Sequence, residues 1–147
     1  MKTAVVYYTF GGSTRKEAER IAAEQGADLF RVREAGKRSL LGAFVPGVIE
    51  AMKRRKPRIQ PEALDLSAYE RIYLGCPVWA AHPAPAFNAM VELLPAGKEV
   101  AVFFCGAGND PRESDAQTRR LIEARGCMLT RMDTIPTGLP PHKGKEA

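Results

Sequence analysis

Cysteine is scarce in this chain and poorly spaced for chemistry of its own. Cys76, Cys105 and Cys127 are odd in number, no two stand in a Cys-x-x-Cys pair, and only His82 and His142 could complete a metal set. Neither a disulfide framework nor a zinc site is indicated, and reduced thiols in a cytoplasmic domain are the plain reading. Long hydrophobic runs are missing as well. The greasiest stretch, residues 40–49, is broken by Gly42, Pro46 and Gly47 and falls short of the eighteen or so residues that span a bilayer. The apolar residues 4–8 stop at Thr9 without a cleavage pattern, which argues against a signal peptide. Internal repeats and low-complexity tracts are also lacking. Tryptophan occurs once, at Trp79.

What remains is the composition of one globular domain: 147 residues, 45% of them hydrophobic. The net charge is +5, from 22 basic and 17 acidic side chains. The excess is local. Residues 31–58 hold nine basic groups against Glu34 and Glu50, so the rest of the chain is slightly acidic. Nucleic acid would be the usual partner of such a segment. No aromatic residues interleave the run Lys53-Arg54-Arg55-Lys56-Pro57-Arg58, however, and a solvated or partner-docking surface is the better reading.

Apolar periodicity outlines alternating strands and helices. Val5-Val6-Tyr7-Tyr8 reads as a strand, followed by a helix with Thr14 and Glu17 in capping-box spacing, an Ala18, Ile21, Ala22 stripe, and a stop at Gly26. Residues 28–32 read as a strand near a sheet edge, and residues 39–56 have helical spacing that Pro46 interrupts. Residues 57–68 read as a connecting loop. Arg71-Ile72-Tyr73-Leu74 makes a strand that ends at Gly75-Cys76-Pro77, and residues 77–85 a loop. Phe87, Met90, Val91 and Leu94 mark a helix reaching Pro95. Residues 100–104 are apolar throughout, as in a strand with both faces covered. Asp110, Pro111 and Glu113 announce another helix, ending at Gly126, and residues 128–135 read as a last strand before a tail at 136–147, polar and rich in proline. Such alternation predicts an α/β fold with a parallel sheet, right-handed crossovers, and ligands at the carboxyl edge of the strands.

Three glycine-containing loops fall at that edge. In the first, the hydroxyls of Thr9, Ser13 and Thr14 and the amides from Phe10 onward surround a helix start whose positive end favours phosphate, and Gly11 and Gly12 permit close approach. The lysine of a Walker loop is absent, as is a Gly-x-Gly-x-x-Gly fingerprint. An ordinary strand-to-helix turn with hydroxyl caps is the alternative.

Residues 5–21, Val-Val-Tyr-Tyr-Thr-Phe-Gly-Gly-Ser-Thr followed by Ala18 and Ile21, resemble the flavodoxin signature at every defined position. Residues 69–79, containing Gly75-Cys76-Pro77-Val78-Trp79, are similar to that family's third strand and the loop that lies against the flavin. The resemblance implies a three-layer α/β sandwich with a five-stranded parallel sheet of order 2-1-3-4-5, binding FMN. By position it implies that Thr9, Phe10, Gly11, Gly12, Ser13 and Thr14 hold the phosphate. Pro77, Val78, Trp79 and Ala80 would line the isoalloxazine, with Trp79 stacking, and Cys105, Gly106, Ala107, Gly108 and Asn109 would contact its pyrimidine edge. A planar, electron-poor ring does need an aromatic face, and Trp79 is expected in a loop, where a core role suits it less.

The chain departs from the family in three respects. The third loop has no aromatic residue, which leaves one flavin face open. No fifth helix is expected in residues 136–147, which leaves a flank of the sheet beside the first helix undercovered and suggests a homodimer. The basic segment 31–58 is unlike the acidic surface of electron-carrying flavodoxins. His82 follows Trp79 closely and is a candidate for donating to a flavin or substrate oxygen, although a loop histidine is more often solvated. Cys76 and Cys105 end adjacent strands, and buried apolar filler is favoured over redox activity for both. The expected function is electron transfer or flavin-dependent reduction with a redox partner protein or a small-molecule acceptor. Alternatives are an NAD(P)H-dependent reductase of quinones, nitroaromatics or a porphyrinogen, and a module that kept the fold and lost the flavin. A dinucleotide site at Gly106-Ala107-Gly108 is weakened by Pro111, which stands where the third glycine belongs.

Overall fold

A computed structural model describes residues 2–10, 12–34, 59–61, 63–79, 82–83, 86–106 and 112–136. Its centre is β1 (Thr3–Tyr8), every residue of which is buried. α1 (Ser13–Gln25) follows and lays Thr14, Ala18 and Ile21, spaced at i, i+4 and i+7, against the sheet. Gly26, in the left-handed region at φ 63°, ends the helix, and the Ala27 N–H closes it on the Ala22 carbonyl at 2.9 Å. β2 (Asp28–Glu34) then pairs parallel with β1, largely exposed as expected near an edge.

The remaining elements are β3 (Ile59–Gln60), β4 (Arg71–Trp79), β5 (His82–Pro83), α2 (Ala86–Val91), β6 (Glu99–Gly106), α3 (Arg112–Ala124) and β7 (Met128–Pro136). β2, β1, β4, β6 and β7 pair in that order and all in parallel, which is the 2-1-3-4-5 order expected of five strands. Two short antiparallel strands were not expected. β3 pairs with the end of β2 inside the predicted connecting loop 57–68, and β5 folds back on β4 inside the predicted loop 77–85. β4 itself runs on through Gly75, Cys76 and Pro77 to Trp79. Pro77 is tolerated because pairing with β1 stops at Tyr7 opposite Gly75, so at position 77 the strand has only β6 as a parallel neighbour. The expected helix at 39–56 lies outside the described residues. Among the described residues no helix is long and apolar enough to cross a membrane.

Strand alternation sorts the core onto two faces. Val5, Tyr7, Phe103 and Cys105 join Ala18 and Ile21 on the α1 side. Ala4, Val6, Tyr8, Leu74, Cys76, Val102 and Phe104 join the fully buried α2 on the other side, where Phe87 meets Phe104 edge to face at 5.3 Å. Cys76 and Cys105 therefore point to opposite faces of the sheet. They stand one register step apart on the paired strands β4 and β6 with their side chains on opposite sides, and both are buried, as expected of apolar filler. α2 is shorter than the stripe to Leu94 implied, because residues 92–94 continue as turns whose N–H groups bond three residues back.

One glycine on the α1 side is fixed by packing. A Cβ at Gly75 would lie 2.0 Å from Cζ of Phe103, its neighbour on β6, so the Phe103 ring lies across the space that a side chain would fill. Toward the amino ends of β4 and β6, and along the edge strand β7, the same face turns polar. Arg71 pairs with Glu99 at 3.1 Å, and Arg131 pairs with Asp133.

At the opposite edge of the sheet from the glycine loops, the Tyr69 hydroxyl donates to Asp28 Oδ2 at 2.6 Å, and its ring meets Phe30 edge to face. The hydrogen bond to Asp28, with burial and the carboxylate charge behind it, holds the phenol above its ordinary range. Because the folded state favours the protonated phenol, this contribution is fully present below about pH 10 and is lost as pH rises through the raised value. Urea unfolding followed across that range should show an alkaline loss of stability that Tyr69→Phe removes; an identical alkaline slope in both proteins would refute the assignment.

Candidate functional site

β1, β4 and β6 are adjacent and parallel, so their ends at Tyr8, Trp79 and Gly106 lie at one carboxyl edge. The first loop is built around Gly12. Its φ of 110° is a conformation that side chains rarely adopt, and it lets the Gly12 N–H turn back to Thr9 Oγ1 at 3.0 Å. Thr9 is buried and its hydroxyl holds the loop from inside. The helix ladder then begins at Lys16 N–H to Gly12 O, 3.1 Å.

The capping box expected of Thr14 and Glu17 does not form. Gly12 occupies the cap position, no side chain caps α1, and the first turn holds no acid. Thr14 is instead buried within the helix, and the Glu17 carboxylate turns outward to Arg20, on the same exposed side as that residue. The physical consequence favours a ligand: the leading N–H groups of α1 carry no side-chain acceptor, and the positive end of the helix meets no neutralising charge. Ser13 is half-buried beside them. Gly11 lies outside the described residues.

The second segment is a strand and hairpin. Trp79, expected in a loop, is the last residue of β4 and pairs with His82 across the turn, while Val78 pairs with Pro83. Antiparallel pairing thus brings the backbones of Trp79 and His82 together. Val78 packs beside the end of β6, where a Cβ on Gly106 would come within 3.3 Å of Val78 Cβ. Pro77 pairs with Cys105. Cys105 is 3% exposed and its side chain belongs to the apolar cluster on the α1 side, so any approach to a ligand from position 105 is through backbone. Ala80 and residues 107–109 lie outside the described residues.

Two features of this edge were not foreseen. The Tyr8 hydroxyl donates to Glu34 Oε1 at 2.8 Å, tying the end of β1 to the end of β2 just before the loop departs. Phe10 packs against the larger core cluster and anchors the loop's outer side. Alternation places Tyr8 on a strand face, but its partner, 26 residues away, depends on strand register that single-strand patterns do not carry. Among the described residues no group of three His, Cys, Asp or Glu side chains is placed to hold a metal ion.

No protein-family model and no curated protein matches the chain. Solved structures do. A flavoprotein in complex with FMN from Lactobacillus acidophilus NCFM is 23% identical, with 90% of this chain and 92% of that chain covered and a TM-score of 0.76. A protein of Bacteroides uniformis ATCC 8492 assigned as a flavoprotein is 17% identical over 99% of this chain and 95% of its own, with a TM-score of 0.81. Oxidised flavodoxin 1 from Bacillus cereus is 18% identical over 99% and 90%, with a TM-score of 0.55. The chain has the flavodoxin-like fold.

Proposed function

We propose that the chain is an FMN-binding redox protein. The observation that carries this reading is the uncapped start of α1, held open by Gly12 and Thr9 beside the strand end that bears the chain's single tryptophan. The residues present suit the group. The leading N–H groups of α1, which no side chain caps, and the hydroxyls of Thr9, Ser13 and Thr14 would make a donor set for a phosphate. Pro77, Val78 and Trp79 end the neighbouring strand β4 and would supply apolar and aromatic side chains toward the ring, and Cys105 and Gly106 end the next strand, β6. FMN, when bound, supplies the electron-accepting ring; the protein's part is to bind the phosphate, orient the ring and limit water at it.

Electron transfer to a partner and direct reduction of a small molecule both use this arrangement. The lack of an aromatic residue in 106–110 favours an open second face, where a small acceptor or a donor's group can approach. Recording a visible spectrum of the purified chain with and without FMN, together with Trp79 fluorescence, tests the central reading. Flavin absorption retained on gel filtration and quenched tryptophan emission are expected; a colourless chain whose emission ignores FMN would refute it. Bleaching by NADH or NADPH alone marks a self-sufficient reductase, and no bleaching marks a carrier. Trp79→Ala is expected to weaken FMN binding by about 1–3 kcal/mol, the usual worth of stacking on an aromatic side chain. Unchanged affinity, measured by calorimetry, would remove Trp79 from the site.

A further inference from the structure

Several of the described cations are engaged. Arg20 pairs with Glu17 and Glu24, Arg71 with Glu99 and Arg131 with Asp133. Arg125 donates to the Leu94 and Glu92 carbonyls, Lys98 donates to the Ser67 carbonyl, and Lys2 lies over the Tyr69 ring. Arg119 and Arg120 on α3 are exposed and unengaged among the described residues, and so are Arg15, Lys16, Arg31 and Arg33, which differ from that pair in their place beside the first loop. All four are exposed, and among the described residues no ion pair or side-chain hydrogen bond holds them.

Their positions converge. Arg15 and Lys16 lie in the first turn of α1, directly after the Thr9–Gly12 turn. Arg31 pairs with Tyr7, which places it on the α1 face of the sheet, and Arg33, two residues on, shares that face at the level of the loop. The acids nearby do not cancel them: Glu17 is taken by Arg20, and Glu34 accepts the Tyr8 hydroxyl from the opposite face. Glu19, on the next turn of α1, is exposed, and Asp28, three residues before Arg31, accepts the Tyr69 hydroxyl. The chain leaves this corner at Glu34 and rejoins it at Ile59, paired with Glu34, and the intervening sequence carries seven basic residues and one acidic residue.

We propose that this corner docks an acidic one-electron carrier protein as the reductant of the bound flavin. The inference rests on the FMN reading for its chemistry. Uncompensated exposed charge of one sign beside a site raises encounter rates with partners of the opposite sign, by tenfold to a thousandfold at low salt. The four cations flank the loop that would hold the phosphate, so a carrier seated on them meets the flavin from its phosphate side. In the reaction two reduced carriers each give up one electron, FMN takes both together with two protons from water, and two oxidised carriers leave. Nucleic acid fits less well, since the described patch has no aromatic residue on which bases would stack.

The test uses the FMN-loaded chain and a reduced, strongly acidic plant-type [2Fe–2S] ferredoxin in stopped flow. The bleaching rate is expected to fall at least tenfold as salt rises from about 20 to about 300 mM, and Arg31→Glu/Arg33→Glu is expected to lower the low-salt rate by about tenfold or more. Arg31→Gln/Arg33→Gln should give an intermediate loss. Photoreduction by neutral 5-deazariboflavin should proceed equally in all three, which shows that the variants fold and hold FMN. A rate indifferent to salt and to both variants overturns the proposal. So does tight binding of a single-stranded oligonucleotide that the charge reversal abolishes while ferredoxin reduction is unaffected. If the chain holds no FMN, the flavin reading fails by itself; docking is then read by calorimetric titration with oxidised ferredoxin, and binding lost on charge reversal keeps the surface while its absence overturns that as well.

Discussion

Gly75→Val is expected to destabilise the chain by roughly 3 kcal/mol, at the upper end of what overpacking a core usually costs. The Cβ alone would stand 2.0 Å from Cζ and 2.3 Å from Cε2 of Phe103, and the ring has no simple retreat, because Phe103 is 2% exposed and packed among Val5, Tyr7, Ala18 and Ile21. Yielding by β4 is no easier, since Gly75 is paired with Tyr7 on one side and with Phe103 on the other. Phe103→Ala removes the obstacle while costing about 3–5 kcal/mol in lost burial and cavity. The double variant is therefore expected to be clearly more stable than the sum of the two losses predicts, the signature of direct contact in a double-mutant cycle. Chemical unfolding of the four proteins gives the coupling, and strictly additive losses would disprove the interlock.

Gly12→Val is expected to weaken FMN binding by about 2–4 kcal/mol, roughly thirtyfold to a thousandfold, which is the loss of one or two charge-assisted hydrogen bonds to the phosphate. A β-branched residue is a genuine outlier at positive φ, and the strain amounts to roughly 1–3 kcal/mol. Relief comes by rotating the peptide away from φ 110°, which breaks the Gly12 N–H contact to Thr9 Oγ1 and turns the leading amides of α1 off their common target. Riboflavin, which has no phosphate, separates the causes: its affinity should change far less than that of FMN. Equal losses for the two flavins would show general damage, and undiminished FMN affinity would take the phosphate away from this loop.

The alternation of strands and helices was legible in the sequence because β1, β4 and β6 are apolar runs followed by a glycine and then by helical spacing, whereas the order of the strands came from the flavodoxin resemblance of residues 5–21 and 69–79. Val5 to Tyr8 and residues 100–104 show this most plainly, being buried on both faces. β3 and β5 were not legible. Two residues are too few to show alternation, and both strands exist only because a neighbour presents a free edge. Pro77 misled for a related reason: proline stops a strand with partners on both sides, and here one partner has already ended. Capping-box spacing at Thr14 and Glu17 was real in the sequence, yet a glycine in the left-handed region set the helix start two residues earlier. In the candidate site, residue types were readable and pairings were not. The opposed faces of Cys76 and Cys105 and the Tyr8 to Glu34 bond both follow from inter-strand register, which a pattern within one strand does not contain.

The ion pair at the amino ends of β4 and β6 and the one on the edge strand β7 bear on how the molecule meets copies of itself. The side chains of Arg71 and Glu99 are 34% and 40% exposed, and those of Arg131 and Asp133 are 69% and 40%. A second molecule pressed dry against this part of the flank would strip water from four charges whose pairing only partly offsets that loss. The strands here thus present a surface that repels apolar adhesion while Phe103 and Cys105 lie buried a few residues further along. Any self-association across it has to stay wet, polar and salt-sensitive, in the manner of a transient contact and not of an obligate subunit interface.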